Sequence, residues 1–428
     1  MMHHCFKGTT DTVLYLGDYK QAYIISDDEY KKLLQDKEKE AEIVSKYKEL
    51  AASEAVEDLA TGNQLRKKKY ELYLCVSNCC NAACTYCFAN KGDYGKKQGI
   101  MKKEIVRDAI DFFMKQVPKE DAAIITFFGG EPLLAYNIIL YACEYIEEKY
   151  SNRKVEYHIT TNATLLDKEK ICFFSQKRFK VTLSIDGGKH IQNIQRPLRN
   201  GQDSYVEATK YISELKRLKV EFVIRGTYAT YDYPLRKCYD DLLSFKAKEI
   251  NIIPDTINIK DNEQEMLIKE MDDLKKYVLE YIKINSDFPF GTLRRRMREL
   301  FVDSTGISTN CGGGKTTFAI DINGDVFPCH RFSGEESFKI GNIAYEKDFK
   351  IEKTVSERNP QYEYYKCNGC WNKNSCFRGC FYEKYLHVQK SSNYEKRSAF
   401  CEYSKKLTEI AIEICGALDE ESLLKILL

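Results

Sequence analysis

Cys80-Asn81-Ala82-Ala83-Cys84-Thr85-Tyr86-Cys87-Phe88 puts three thiols on one short loop, separated by three and then two residues. Thiolates are soft ligands, and three of them so close together suit iron or zinc. Three can cap three irons of a 4Fe-4S cube and leave the fourth iron bare, free to bind and reduce something. A two-residue gap between cysteines also serves zinc sites and dithiol redox loops, so it does not decide the matter alone. A closed structural zinc wants a fourth ligand, however, and none lies at a suitable spacing. Cys75 and Cys79 are near, but Cys79 adjoins Cys80 and is expected to point away from it.

Bulk properties narrow the class. The 428 residues are enough for a core of barrel or doubly wound size plus one or two smaller domains. Lys and Arg (66) nearly balance Asp and Glu (64), so nothing global argues for nucleic acid or an anionic membrane as partner. No apolar run approaches the roughly 18 residues that span a bilayer, and Met1-Met2-His3-His4-Cys5 lacks the basic and apolar regions of a secretory signal. A cytoplasmic protein is expected. Seventeen cysteines are too sparse for a small disulfide scaffold, and in a reducing cytosol clustered thiols mean metal. Ten of the seventeen fall in two clusters. Cys5, Cys75, Cys79, Cys143, Cys172, Cys238 and Cys415 are left over and are expected to be small buried apolar residues.

Residues 1–64 stand apart, with thirteen acidic against eight basic side chains. Thr12 to Leu16 and Gln21 to Ile25 read as a hairpin across Gly17-Asp18-Tyr19-Lys20. Ser26 with Glu29 makes a capping box, and a charged helical stretch follows to about Leu59 before Gly62. Over 65–285 strands alternate with helices. Strands are expected at Tyr70–Cys75, Ala122–Phe128, Val155–Thr161, Lys180–Ile185, Glu221–Thr227 and Glu249–Ile253. Helices are expected at Met101–Gln116, Leu134–Tyr150, Asp167–Arg178, from a Ser204/Glu207 cap to Leu218, Leu235–Phe245 and Asn262–Ile284. Six βα units in succession predict an α/β fold with parallel strands, either a (β/α)6 partial barrel or an open doubly wound sheet.

In either architecture functional residues gather where strands end. The three-cysteine loop follows the first strand, and Gly129-Gly130-Glu131-Pro132 follows the second. Thr160-Thr161-Asn162 ends the third, Ser184-Ile185-Asp186-Gly187 the fourth and Arg225-Gly226-Thr227 the fifth. Every polar or glycine-rich cluster falls on one rim. Residues 286–305 read as a linker carrying Arg294-Arg295-Arg296 and Arg298, a basic patch able to meet an acidic peptide or anionic clusters but more simply a solvated helix face. From 306 to 428 the grammar changes. Cys311 precedes Gly312-Gly313-Gly314, Asn323-Gly324 turns a hairpin between Thr317–Ile322 and Asp325–Phe327, and Cys329-His330 follows. Cys367, Cys370, Cys376, Cys380 and Cys401 come next, giving seven cysteines in about ninety residues.

The CxxxCxxC loop, with an aromatic residue before its last cysteine, resembles the cluster loop of radical S-adenosylmethionine (SAM) enzymes. That resemblance implies a 4Fe-4S cluster on Cys80, Cys84 and Cys87, with the amino and carboxylate groups of SAM chelating the open iron. It further implies that Glu131 and the backbone of Gly129 and Gly130 receive the methionine amino group. Ser184 and Asp186 would lie near the sugar and methionine, Tyr86 near the adenine, and Asn162, Arg196 and Arg225 would be further contacts, with Arg196 aimed at the SAM carboxylate. One electron from an external donor such as flavodoxin or ferredoxin then splits SAM into methionine and a deoxyadenosyl radical. The C-terminal cysteine pattern, with four residues between Gly324 and Cys329, resembles the SPASM domain of such enzymes, which carries two auxiliary 4Fe-4S clusters. Carried over, Cys311, Cys329 and Cys380 hold the first with only three thiolates, and Cys367, Cys370, Cys376 and Cys401 close the second.

The N-terminal strands and helices resemble the peptide-recognition module of enzymes that modify ribosomally made peptides, where a leader adds as a strand to an open sheet edge. The chain is thus expected to be a radical SAM peptide maturase of the sactipeptide and ranthipeptide kind. It would form a thioether between a cysteine sulfur and a carbon of a Cys-rich precursor peptide. Carbon-carbon or carbon-oxygen cross-linking is one alternative. An anaerobic sulfatase-maturing, formylglycine-generating enzyme is another, although His330 follows Cys329 where those enzymes typically place an Asp. No catalytic acid or base is distinguishable.

Overall fold

A computed structural model describes residues 2–53, 69–301, 312–345, 367–376, 379–390 and 398–427. The chain forms two compact units that interleave in sequence. One is Met1–Arg66 with Ile259–Cys311 and Pro360–Leu428, and the other is Lys67–Asn258 with Gly312–Asn359.

In the first unit the expected hairpin, β2 (Thr12–Leu16) and β3 (Gln21–Ile25), is joined by a strand the sequence reading did not anticipate, β1 (His3–Lys7). The three form an antiparallel sheet in chain order. Every residue of the central strand β2 is buried. Two helices cover the sheet, α1 (Asp27–Gln35) and α2 (Lys37–Ser53), within the expected helical stretch. The capping box is present: the Glu29 N–H donates to Ser26 Oγ at 3.2 Å and the Ser26 N–H to Glu29 Oε2 at 3.1 Å. Asp36 breaks the helix, its carboxylate accepting the Glu38 N–H at 2.9 Å and so starting α2. Leu14, Leu16, Ile25, Leu33, Ile43 and Val44 form the core between sheet and helices. The expected end of this helix at Leu59 and Gly62 lies outside the described residues.

The second unit carries a nine-stranded sheet. Its parallel strands β4 (Lys69–Ser77), β5 (Ala122–Gly129), β6 (Val155–Thr161), β7 (Lys180–Ser184), β8 (Glu221–Tyr228) and β9 (Ile250–Pro254) stand side by side in chain order. This order separates the two expected architectures. Right-handed crossovers that always step to the same side put every helix on one face, and the sheet curls about its other face into a partial barrel; a doubly wound sheet reverses direction once. The outer helices are α3 (Lys103–Gln116), α4 (Tyr136–Lys149), α5 (Lys168–Gln176), α6 (Lys189–Gln195), α7 (Ser204–Thr209), α8 (Ile212–Arg217) and α9 (Leu235–Leu243). Asp203, not Ser204, caps α7, accepting the Val206 N–H at 3.0 Å, and the helix expected to run to Leu218 is split into α7 and α8.

Beyond β4 the sheet continues with β10 (Thr317–Ile320), parallel to it, and then β11 (Asp325–Phe327) and β12 (Gly341–Asn342). The hairpin turned by Asn323-Gly324 therefore belongs to the barrel sheet. The helices α10 (Asp261–Ile284) and α11 (Gly291–Phe301) return to the first unit and pack on the helix Ala399–Gly416. The residues expected as a linker are thus largely α11, which buries Leu293, Arg296, Met297 and Leu300. Of the leftover cysteines, Cys75, Cys143 and Cys238 are buried as expected, whereas Cys172 is exposed. Among the described residues no helix is long and apolar enough to cross a membrane.

Leu14 is fully buried at the centre of the N-terminal sheet. Leu14→Ala is expected to cost about 2–5 kcal/mol, seen in thermal denaturation as an earlier transition of the first unit.

Candidate active site

The three-thiol loop leaves the end of β4 and is fastened on both sides. Toward β5, the Gly130 N–H donates to Ser77 O and the Glu131 N–H to Cys79 O, both at 2.8 Å. This approach explains the glycine pair. Gly129 has φ +136°, and a Cβ there would lie 2.3 Å from Ser77 O; at Gly130 it would lie 2.3 Å from Cys79 O. On the other side, the Ala83 N–H donates to Pro197 O at 2.8 Å and the Thr85 N–H to Gln195 O at 3.0 Å. Asn162 Nδ2 donates to Asn81 Oδ1 at 2.9 Å, tying in the end of β6.

The two rim carboxylates face inward. Glu131 accepts from Thr161 Oγ1 (2.7 Å), the Asn162 N–H (2.7 Å) and the Leu133 N–H (3.1 Å). Burial pushes its carboxyl up to about 7, against those three donors and the nearby Arg196. Asp186 accepts four hydrogen bonds, from Tyr86 OH (2.5 Å), Gln195 Nε2 (2.8 Å), Arg196 Nε (3.0 Å) and the Thr227 N–H (2.9 Å). A carboxylate offers about four acceptor positions, so Asp186 is saturated and Glu131 nearly so. The carboxylates expected beside methionine and sugar thus also brace the rim internally.

Arg196 packs its guanidinium 5.3 Å from the centre of the Tyr86 ring and holds Nη1 at 3.8 Å from Cys84 Sγ. It thus pairs with Asp186 and faces the thiol loop on which the resemblance places the SAM-binding cluster. Ser184 is buried at the end of β7, in register with Arg225 on β8; Arg225 is exposed. Two residues were missed. Gln195 bonds Asp186, Thr227 O, the Ala229 N–H and Thr230 Oγ1, while Gln192 accepts the Asp186 N–H at 2.8 Å. Their spacing of three on α6 was the available signal, but that short helix was not anticipated. Inside the barrel the His330 ring lies 4.1 Å from Tyr73 and 4.5 Å from Phe128. Burial first, then Arg331 and Arg225, push His330 down to about 3, leaving a neutral imidazole.

The donor set fits an iron-sulfur cluster. Cys80 interacts electrostatically with both Cys84 and Cys87, and hydrogen-bond donors already face the sulfurs: the Ala82 N–H is 3.4 Å and Asn162 Nδ2 3.9 Å from Cys80 Sγ. Burial, with Glu131 second, pushes the Cys80 thiol up to about 12, a cost that a bound soft cation reverses. Among the described residues no three thiol, imidazole or carboxylate groups already stand at metal-binding spacing, so the fit is one of donor chemistry and proximity.

In the other unit Cys367, Cys370, Cys376 and Cys401 are neighbours. Burial, followed by those three thiols among its causes, pushes Cys401 up to about 11, and the Cys370 N–H donates to Cys367 O at 3.1 Å. The set expected for a first auxiliary cluster is not assembled within either unit. Cys329 belongs to the barrel unit, Cys380 to the other, and Cys311 lies outside the described residues.

A partial barrel with a three-thiol loop at the end of its first strand, and a second thiol set elsewhere, defines an iron-sulfur enzyme. Residues 74–230 match the Radical SAM superfamily, and residues 311–371 match SPASM, an iron-sulfur cluster-binding domain. The chain is a radical SAM enzyme with a SPASM domain. It is 26% identical over 371 residues to a cysteine-type anaerobic sulfatase-maturating enzyme of Clostridium perfringens strain 13, covering 78% of this chain and 94% of that protein. An uncharacterised protein of Methanocaldococcus jannaschii is 28% identical over 293 residues, 67% of this chain and 93% of its own length. The radical SAM cyclopropyl synthase TigE of Paramaledivibacter caminithermalis is 26% identical over 295 residues, 64% of this chain and 60% of its own. Among solved structures, anSMEcpe with bound AdoMet gives a TM-score of 0.69 at 22% identity over 82% of this chain and 99% of that one, a likeness of fold.

Asp186→Asn leaves the buried Arg196 guanidinium without its counter-charge. It is expected to cost about 3–5 kcal/mol in anaerobic denaturant unfolding and to weaken SAM binding in calorimetry. Gly129→Ala, which has no room beside Ser77, is expected to cost roughly 1–3 kcal/mol in the same unfolding measurement.

Proposed function

We propose that this enzyme is a peptide maturase that joins a cysteine sulfur to a carbon of another residue in a ribosomally made, Cys-rich peptide. The observation that carries the reading is the pairing of a radical SAM rim with a thiol-rich second domain and an N-terminal antiparallel sheet in one chain. Cys80, Cys84 and Cys87 would hold the SAM-binding cluster. Cys367, Cys370, Cys376 and Cys401 would hold a closed auxiliary cluster, and Cys311, Cys329 and Cys380 a second with one iron open to a substrate thiolate. SAM bound at such a centre supplies a carbon radical that takes hydrogen from unactivated carbon.

The chain's own residues set the stage for that step. Arg196 stands beside Cys84 and offsets thiolate charge, while Asp186 fixes Arg196, Tyr86 and the β8 end as one rigid rim. The backbone of Gly129 and Gly130 would receive the SAM amino group, with Ser184, Asn162 and Arg225 lining the remainder. Tyr73, Phe128 and the neutral His330 form an aromatic lining that excludes water from the barrel interior.

A peptide as substrate is supported by the names of relatives and by the solved anSMEcpe complex with AdoMet and Cp18Cys peptide, of the same fold at a TM-score of 0.66. The N-terminal sheet ends in strand β3, where Ala22 and Ile24 are exposed, and a leader peptide would add there through backbone hydrogen bonds. Reduction would come from a flavodoxin or ferredoxin, in a cytoplasm that keeps these thiols reduced. Formylglycine formation is the second reading, favoured by the sulfatase-maturating relatives, which match over nearly their full length.

Anaerobic incubation of the reconstituted enzyme with SAM, a reductant and the short peptide encoded beside its gene tests these readings by mass spectrometry. Loss of two hydrogens per linkage, with cysteines that no longer alkylate, is expected. Every thiol remaining alkylatable would instead indicate carbon-carbon cross-linking, and replacement of a cysteine by an aldehyde would indicate formylglycine. Cys84→Ala is expected to abolish 5′-deoxyadenosine formation in all cases.

A further inference from the structure

In the first unit, buried polar side chains from three separate parts of the chain converge on the segment Cys370-Trp371-Asn372-Lys373-Asn374-Ser375-Cys376. Arg296 on α11 donates through Nη1 to Ser375 O at 2.6 Å and through Nη2 to Ser404 Oγ at 3.2 Å. Asn372 donates to the same Ser404 Oγ at 3.2 Å and accepts from Thr408 Oγ1 at 2.8 Å. From the N-terminal sheet, Tyr15 OH meets Ser375 Oγ at 2.8 Å, and the His4 ring stacks on Trp371 at 4.1 Å with the planes 3° apart. Asn374 Nδ2 donates to Gly17 O at 3.0 Å.

The arginine needs an explanation. It is 7% exposed, on a helix where Arg295 and Arg298 remain in water and Arg294 is half-buried. Burying a guanidinium is costly unless an opposite charge is near. Glu299 approaches its Nε at 3.4 Å, while Nη1 turns to the cysteine segment and Nη2 to Ser404 on the helix that begins beside Cys401. Nη1 thus ends on the residue before Cys376 and Nη2 three residues past Cys401, so one guanidinium braces two arms of the four-thiol set that would carry a net-negative iron-sulfur cube.

We propose that Arg296 is a positioning residue of the auxiliary cluster held by Cys367, Cys370, Cys376 and Cys401. Its charge favours the reduced, more anionic form of that cluster, and with Tyr15 it fixes the Cys376 arm. The proposal rests on the reading that these four cysteines ligate a cluster. Hydrogen bonds and charges around such sulfurs shift reduction potentials over a wide range. The N-terminal sheet is on this account a wall of the cluster site, whatever peptide its free edge receives.

The test uses full-length, anaerobically reconstituted protein in which Cys80, Cys84 and Cys87 are all replaced by Ala, so that only auxiliary clusters contribute. Iron and sulfide per chain and potentiometric EPR are read for Arg296→Met, Arg296→Gln, Arg296→Lys and Tyr15→Phe. Unchanged iron with at least a tenfold shift of the reduction equilibrium toward the oxidised form is expected for Met and Gln, about 59 mV for a one-electron couple. Lys, which keeps the charge, is expected to return most of that shift. Tyr15→Phe is expected to alter the g-values while iron stays bound. Full iron in the Gln variant with an unchanged potential, or a Lys variant shifted as far as Gln, overturns the proposal while leaving the cluster in place. Cys370→Ala in the same background costing no iron overturns the ligand assignment itself, and is a separate result.

Discussion

The barrel rim depends on a single buried carboxylate. Asp186 receives a tyrosine from the thiol loop, a glutamine and an arginine from the segment after β7, and a backbone N–H from β8. The donors come from three parts of the chain, which Gln195 also ties together through Thr85 and Thr227. An ionised carboxylate that accepts four bonds is stabilised far more than one left in an apolar site, and it returns that stabilisation as rigidity. The thiol loop can therefore stay open to a ligand without losing its shape. Glu131 does the same on the opposite side of the loop, joining the ends of β5 and β6.

The division of labour between carboxylate and glycine follows. At Gly129 and Gly130 the backbone lies too close to Ser77 and Cys79 for any side chain, so these positions can offer only peptide groups to a ligand. The carboxylates that accompany them are buried and hydrogen-bonded, Asp186 by four donors and Glu131 by three. A rim built this way sets backbone groups at fixed spacing beside the thiol loop, with the charged residues one layer back. Arg196 is the exception, because its guanidinium spans both layers and reaches a sulfur.

Much of this was legible in the sequence. Buried parallel strands read as apolar runs closed by glycine and polar clusters, and all six fell within one or two residues of their observed ends. The polar clusters were found on one rim because a βα repeat puts every strand end on the same side. What the sequence could not reveal was which atoms of Glu131 and Asp186 were already taken, since their donors lie up to a hundred residues away. Strand β1 was missed because His3-His4-Cys5-Phe6-Lys7 has almost no alternation to read. Asp203 and Ser204 are both good capping residues, and only geometry decides between neighbours. The interleaved units were equally invisible, because a parallel pairing between β10 and β4 joins segments some 245 positions apart, as Thr317↔Glu71 shows.

Arg296 shows why composition misleads at such places. Four arginines within five residues look like a solvated stripe, and for Arg295 and Arg298 that is what they are. A helix turns by about 100° per residue, so one member of any such run must face whatever the helix packs against. Here the inward position falls against the cysteine-bearing segment, among Asn372, Ser375 and Ser404, and the guanidinium fork satisfies a carbonyl and a hydroxyl at once. Lysine at that position would reach the same carbonyl with a single group and leave the hydroxyl to other donors. A cation beside a cysteine loop then appears in both units, Arg196 near Cys84 and Arg296 near Cys376. In each case a buried guanidinium hydrogen-bonds within the segment that carries the cysteines, to the Cys84 sulfur in one unit and to the carbonyl before Cys376 in the other.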